Sequence, residues 1–177
     1  MPVTVTFCIN VTRDGCIGED ELATDLERYR VDILADEERH GAMNGTLIIR
    51  APGVPDVRIE DEIEYLVHQI CFLAIPDLLA NKHIVVRHFR YLGYVRLDPE
   101  AMQQLISGDD IPSVRVTYHE LVPALVACGE RFILFLRRLA EGTPEGEDHV
   151  QLLERNAAIA REAIQAIGGE IKPRFVS

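Results

Sequence analysis

No stretch of this chain is apolar for anything near the roughly 20 residues that cross a bilayer; its uninterrupted runs are as short as FILFL at 132–136. The opening, MPVTVTFCIN, lacks the charged and apolar regions of a secretory signal. A cytoplasmic protein without membrane association is therefore expected. Positive charge is also in short supply: 18 Lys and Arg stand against 29 Asp and Glu, for a formal net charge of -11. Such a field repels nucleic acid and favours encounter with a basic partner. Glycine-rich phosphate loops are missing, since neither GxGxxG nor GxxxxGK occurs, and Ser107 has no GxSxG context.

The cysteines Cys8, Cys16, Cys71 and Cys128 show no CxxC spacing. That excludes the usual zinc or redox signatures and leaves them, in a reducing compartment, as small core residues. His83 and His88 are five apart and point to opposite faces of a strand. His40, His68, His119 and His149 fall on separate segments, so no metal set and no cofactor is implied.

What is present is a globular balance. The 177 residues, 47% hydrophobic and 27% charged, suit one domain spanning 1–177. Residues 3–11 alternate as a half-buried strand, followed by an Asp14-Gly15 turn. Leu22, Leu26, Tyr29 and Ile33 repeat at helical spacing, although Tyr29, Val31 and Ile33 also alternate; a helix is the favoured reading. Two short strands follow at 46–53 and 56–60. The segment 60–75 then places Ile63, Leu66, Val67, Ile70 and Ala74 on one helical face, with acids in its first turns to complement the dipole and Pro76 as its end. Residues 83–97 are strand-like and broken at Gly93. Segment 98–108 is open between helix and hairpin, and SVRVTY at 113–118 alternates again.

Thr117 and Glu120 have capping-box spacing for a long helix to about residue 140, with Leu121, Leu125, Cys128, Phe132, Phe135 and Leu139 inward and Pro123 delaying its regular start. A last helix at 147–167 has Val150, Leu153, Ala157, Ala160, Ile164 and Ile167 on its seam, and Gly168-Gly169 as its stop. The fold class expected is α+β: an antiparallel or mixed sheet with helices packed on one face, ending in two long helices.

The stretch HIVVRHFRY, 83–91, holds two arginines and two histidines within a window, 82–97, that has four basic and no acidic residues. It reads as a central or near-central strand whose charges are neutralised by the acids of 60–64 or by the C-terminal helix. The alternative is a ligand or enzyme site built from Arg87, His88, Arg90 and Tyr91, since arginine offers forked donors to anions. Asp109 and Asp110, in SGDD, fit a loop better than a cation site. Adjacent Glu130 and Arg131 diverge by about 100° on a helix and fit surface or helix-to-sheet contacts.

The segment ISGDDIPSVRVTYHELVPALVACGERFILFLRRL, 106–139, resembles the C-terminal half of small bacterial proteins, among them immunity proteins of polymorphic and contact-dependent toxin systems. In those a Gly-Asp turn, a strand and a long helix with an aromatic-rich inner face recur. The likeness covers about a fifth of the chain and carries over no catalytic residue. It implies a compact, non-enzymatic, acidic protein that occludes a toxin domain. On that reading the partner is a basic protein, and Asp36, Glu37, Glu38, Asp61, Glu62, Glu64, Asp109 and Asp110 are the candidate contact residues. A homodimer stays open as a further possibility.

Overall fold

The computed structural model describes residues 2–11, 15–90, 93–141 and 144–167. The alternation at the N-terminus becomes β1 (Thr4–Val11), which buries Val5, Phe7, Ile9 and Val11. β2 (Gly15–Gly18) pairs with it antiparallel. Of the expected Asp14-Gly15 turn, Asp14 lies outside the described residues, and Gly15 has the positive φ of 78° that such a turn requires. α1 (Glu19–His40) is helical through both halves, with Leu22, Leu26, Tyr29 and Ile33 buried and a kink at Asp25 (φ -140°, ψ 56°). β3 (Asn44–Arg50) and β4 (Val57–Glu62) complete a first antiparallel sheet in the order β2-β1-β3-β4.

Three acids expected in a helix are instead on a strand. Glu60, Asp61 and Glu62 belong to β4, because the two-residue alternation of Val57 and Ile59 continues through Asp61, which is also buried. The helical run starts at Ile63, and only Glu64 lies in its first turn. It comprises α2 (Ile63–Leu66), a π-helical segment (Val67–Leu73) and α3 (Ala74–Leu79). Pro76 does not end it. The residue sits within a continuous helical run, three residues past the end of the π segment.

The second sheet is also antiparallel, in the order β5 (Ile84–Arg87), β6 (Tyr94–Glu100), β7 (Gln103–Gly108), β8 (Val114–Thr117). Segment 98–108 is thus a hairpin, turning at Ala101 (φ 27°). Pro99 is accommodated because it lies past the end of β5, whose last partner on β6 is Leu97, so no ladder bond is lost on that side. HIVVRHFRY does not form a central strand. Its strand portion is β5, an edge.

α4 (Tyr118–Leu139) follows β8 directly and buries its whole expected apolar line. Thr117 caps it by position alone, without a side-chain bond, so the capping box does not form, and Pro123 sits inside the helix without delaying its start. α5 (Pro144–Ala166) begins earlier than the spacing suggested and buries Val150, Leu153, Ala157 and Ala160, while Ile167 is exposed; Gly168-Gly169 lies outside the described residues. Inner residues of both sheets join α1, α4 and α5 in one buried cluster. Phe132 of α4 meets Phe7 edge-on at 5.1 Å. Gly129 lets α4 approach the π segment, since a Cβ there would run into the Phe72 ring.

Pairing of β1 with β2 sets Cys8 diagonal to Cys16, with Cα atoms 5.7 Å apart, and the two form a disulfide. The expectation of four reduced core cysteines is corrected for this pair. Disulfides persist in oxidising compartments, a feature the cytoplasmic expectation does not account for. Cys71 and Cys128 are buried thiols as expected, and burial together with their mutual hydrogen bond pushes the Cys71 thiol well up. Among the described residues, no helix is long and apolar enough to cross a membrane.

Candidate functional site

β4 is the outer strand of the first sheet, and its C-terminal half is where charged side chains gather. Asp61 points inward with a side chain fully shielded from solvent. Its carboxylate accepts backbone N–H bonds from Glu62 (2.9 Å), Phe89 and Arg90 (3.1 Å). The loop after β5 is thereby fastened to the end of β4 by one buried carboxylate. His88 stands beside it, Nδ1 to carboxylate oxygen 3.4 Å, without the alignment of a hydrogen bond.

A cleft of 580 Å³ opens between the two sheets. Arg58, Ile59 and Glu60 of β4 form one wall, and His88, Gly93 and the β7–β8 loop from Asp109 to Ile111 form the other. Gly93 keeps the cleft open: a Cβ there would come within 2.9 Å of the His88 ring and 3.3 Å of the Asp109 carboxylate.

A second group lies where α1, β4, α2 and α5 meet. His149 of α5 bonds Glu64 at 2.9 Å, and Asn156 one turn pair later donates to Nε2 of His68 at 2.8 Å. Burial raises the pKa of Glu64, against the pull of His149, with Glu37 and Glu62 adding to the rise. Burial likewise raises Glu37, opposed by His149, and Glu62, opposed by Arg90 and reinforced by Asp61. His68 is lowered by burial and then by the nearby His149. Among the described residues no set of three or more His, Cys, Asp or Glu is arranged to hold a metal ion.

The eight candidate acids therefore separate by role. Glu37, Glu62 and Glu64 come together from segments remote in sequence. Asp109 and Asp110 are exposed on the cleft rim opposite Glu60. Asp36 pairs with Arg39 at 3.6 Å, and Glu38 is exposed on α1. Asp61 is structural and unavailable to a partner.

The alternative set does not converge. Arg87 is exposed on the outer face of β5, His88 lines the cleft, and Arg90 bonds the backbone oxygen of His40 while lying near Glu62. Tyr91 lies outside the described residues. Acids of 60–64 thus face His88 and Arg90, as expected, but not Arg87. Glu130 and Arg131 bond to separate partners: Arg161 at 2.8 Å for the first, Glu19 and the oxygen of Val5 for the second.

Sequence reasoning missed the pairing of His149 with Glu64, because it joins residues 85 positions apart, and missed the buried role of Asp61. The second had a signal in the Val57, Ile59, Ile63 alternation, whose inward slot is position 61. Set against known protein families, curated proteins and solved structures, the chain matches none.

Proposed function

We propose that this chain is a binding protein that engages a basic protein partner through its carboxylate-rich end, and that it neutralises a toxin domain, as the resemblance of 106–139 to immunity proteins implies. The observation that supports this most is the convergence of Glu37, Glu62 and Glu64. In the free protein burial holds the proton affinity of all three up, and neighbouring carboxyls raise Glu62 and Glu64 further. A lysine or arginine brought against them relieves that penalty, and the surrounding negative field speeds the encounter. Exposed Asp109 and Asp110 add negative charge at the cleft, and Glu38 is a further exposed acid on α1.

A second reading, a small ligand-binding or catalytic domain, is favoured by the Asp61–His88 pair, since a carboxylate behind an imidazole is how a general base is oriented. Among the described residues, the cleft lining includes no serine, threonine or cysteine for such a base to activate. The docking reading therefore stands ahead of it.

The test is to titrate the purified chain with the proteins encoded on either side of its gene, at low and at high salt. Binding that weakens as salt rises, and falls at least about tenfold in a Glu38→Lys/Glu62→Lys variant, is the expected result. Affinity indifferent to both salt and charge reversal removes the acidic-surface reading.

A further inference from the structure

The cleft has a property that its side chains alone do not reveal: one wall is an open strand edge. The bond from the Ile63 N–H to the Met43 oxygen, 2.9 Å, sets the phase of the β3–β4 ladder. With that phase, Val57, Ile59 and Asp61 turn their backbone groups toward β3, and Arg58 and Glu60 turn theirs outward. Among the described residues, β4 has no strand neighbour on that side. No hydrogen bond from the N–H or C=O of Arg58 or Glu60 is made among the described residues. The groove along this edge is closed at one end by the Asp61 tie and walled on its far side by Asp109, Asp110 and Ile111.

We infer that this cleft docks an extended, basic segment of a protein partner, which adds as a strand to the free edge of β4. The inference rests on the binding-protein reading and names the surface and the conformation of what is bound. An added strand lies about 4.8 Å from its neighbour, and a cleft of 580 Å³ along β4 leaves room for a short one. Backbone bonds to Arg58 and Glu60 supply affinity that is blind to sequence, and alternate side chains supply the selectivity. Among the described lining residues, those side chains meet Glu60, Asp109 and Asp110 against Arg58 and the imidazole of His88. Lysine or arginine is complementary there, and an acidic strand is repelled.

The β5 edge of the other sheet does not offer the same site. On β5 the outward oxygen of Arg87 already accepts the Tyr65 hydroxyl at 3.0 Å. Arg87 and Arg96 stand together on the outer face beside it, where they oppose a basic strand.

The probe is a fluorescein-labelled hexapeptide, Lys-Val-Arg-Val-Lys-Val, with two controls: Glu in place of Lys and Arg, and N-methylation of alternate backbone amides. Fluorescence anisotropy against the full chain reads affinity, and amide chemical shifts read location. The expected result is saturable binding of the basic peptide with shifts at residues 58–60 and 109–111. Affinity falls at least about tenfold on N-methylation, which corresponds to about 1.4 kcal/mol. It falls similarly in an Asp109→Asn/Asp110→Asn variant whose circular dichroism is unchanged. Absence of saturable binding, indifference to N-methylation, or shifts confined to β5 overturns the groove. So does a concentration-dependent dimer that buries β4 in its own copy. If a whole partner binds with salt dependence while the peptide fails, the groove falls and the acidic-surface reading survives.

Discussion

The two sheets have the same strand count and the same antiparallel pairing, yet they treat charge in opposite ways. The first buries a carboxylate, Asp61, and uses it as a joint. The second leaves its arginines outside, with Arg96 stacked on Tyr94 at 4.9 Å and Arg115 forked onto Glu100. A buried ion that satisfies several donors is costly to disturb, whereas an exposed pair contributes little to stability and is available to a partner. Net charge alone does not distinguish these cases; burial does.

The largest effect is expected in the core shared by both sheets. Phe132→Ala removes a fully buried ring packed on Phe7, and should lower the unfolding free energy by about 4 kcal/mol in urea titration. If the sheets are coupled through α4, probes on both report one transition.

Asp61→Ala should cost about 3 kcal/mol, because the N–H groups of Phe89 and Arg90 lose their acceptor. Its signature is local: amide exchange at 84–90 accelerates more than at β1 and β3. Uniform acceleration would mean that the carboxylate is not a joint but part of the common core.

The Cys8–Cys16 crosslink sits at the far edge of the first sheet. Its removal by Cys8→Ser/Cys16→Ser should cost about 2 kcal/mol for so short a loop, measured by the same titration, and leave the second sheet's exchange rates unchanged. The mutant should also be insensitive to reductant.

The smallest effect is electrostatic. Burial holds the Glu62 carboxyl above its ordinary pKa of 4.5 in the fold, so its contribution favours the fold below that value and is lost as pH rises through the folded pKa. Glu62→Gln should therefore raise the melting temperature slightly at pH 7 and make no difference at pH 4. His68 acts in the opposite sense. Its pKa is lowered, so its contribution is present above 6.5 and is lost as pH falls through the folded value. His68→Gln should flatten the acid limb of the stability profile; an unchanged acid limb would assign the loss to other groups.

Much of the architecture was legible because period-two and period-3.6 burial is written locally. Phe7, Leu26 and Phe132 announce their faces within a few residues. What was not legible depends on neighbours distant in the chain. Asp61 looked like a dipole-complementing helix residue because acids before an apolar helical run usually are. Cys8 and Cys16 are joined by a register that sequence separation does not disclose. β5 looked interior because Ile84, Val85 and Val86 are β-branched, a composition that an edge strand shares. Of the candidate acids, the gathering of Glu37 with Glu62 and Glu64 required the fold, whereas the exposed loop position of Asp109 and Asp110 followed from SGDD itself.

The Asp61 joint also bears on how this molecule tolerates change over generations. Under the docking proposal, the exposed rim residues at 109 and 110 are the positions that can change with a partner. Position 61 has no such latitude. A lineage that loses that carboxyl loses the tie that shapes the cleft and part of its folding margin together, so under the docking proposal retuning falls to the rim.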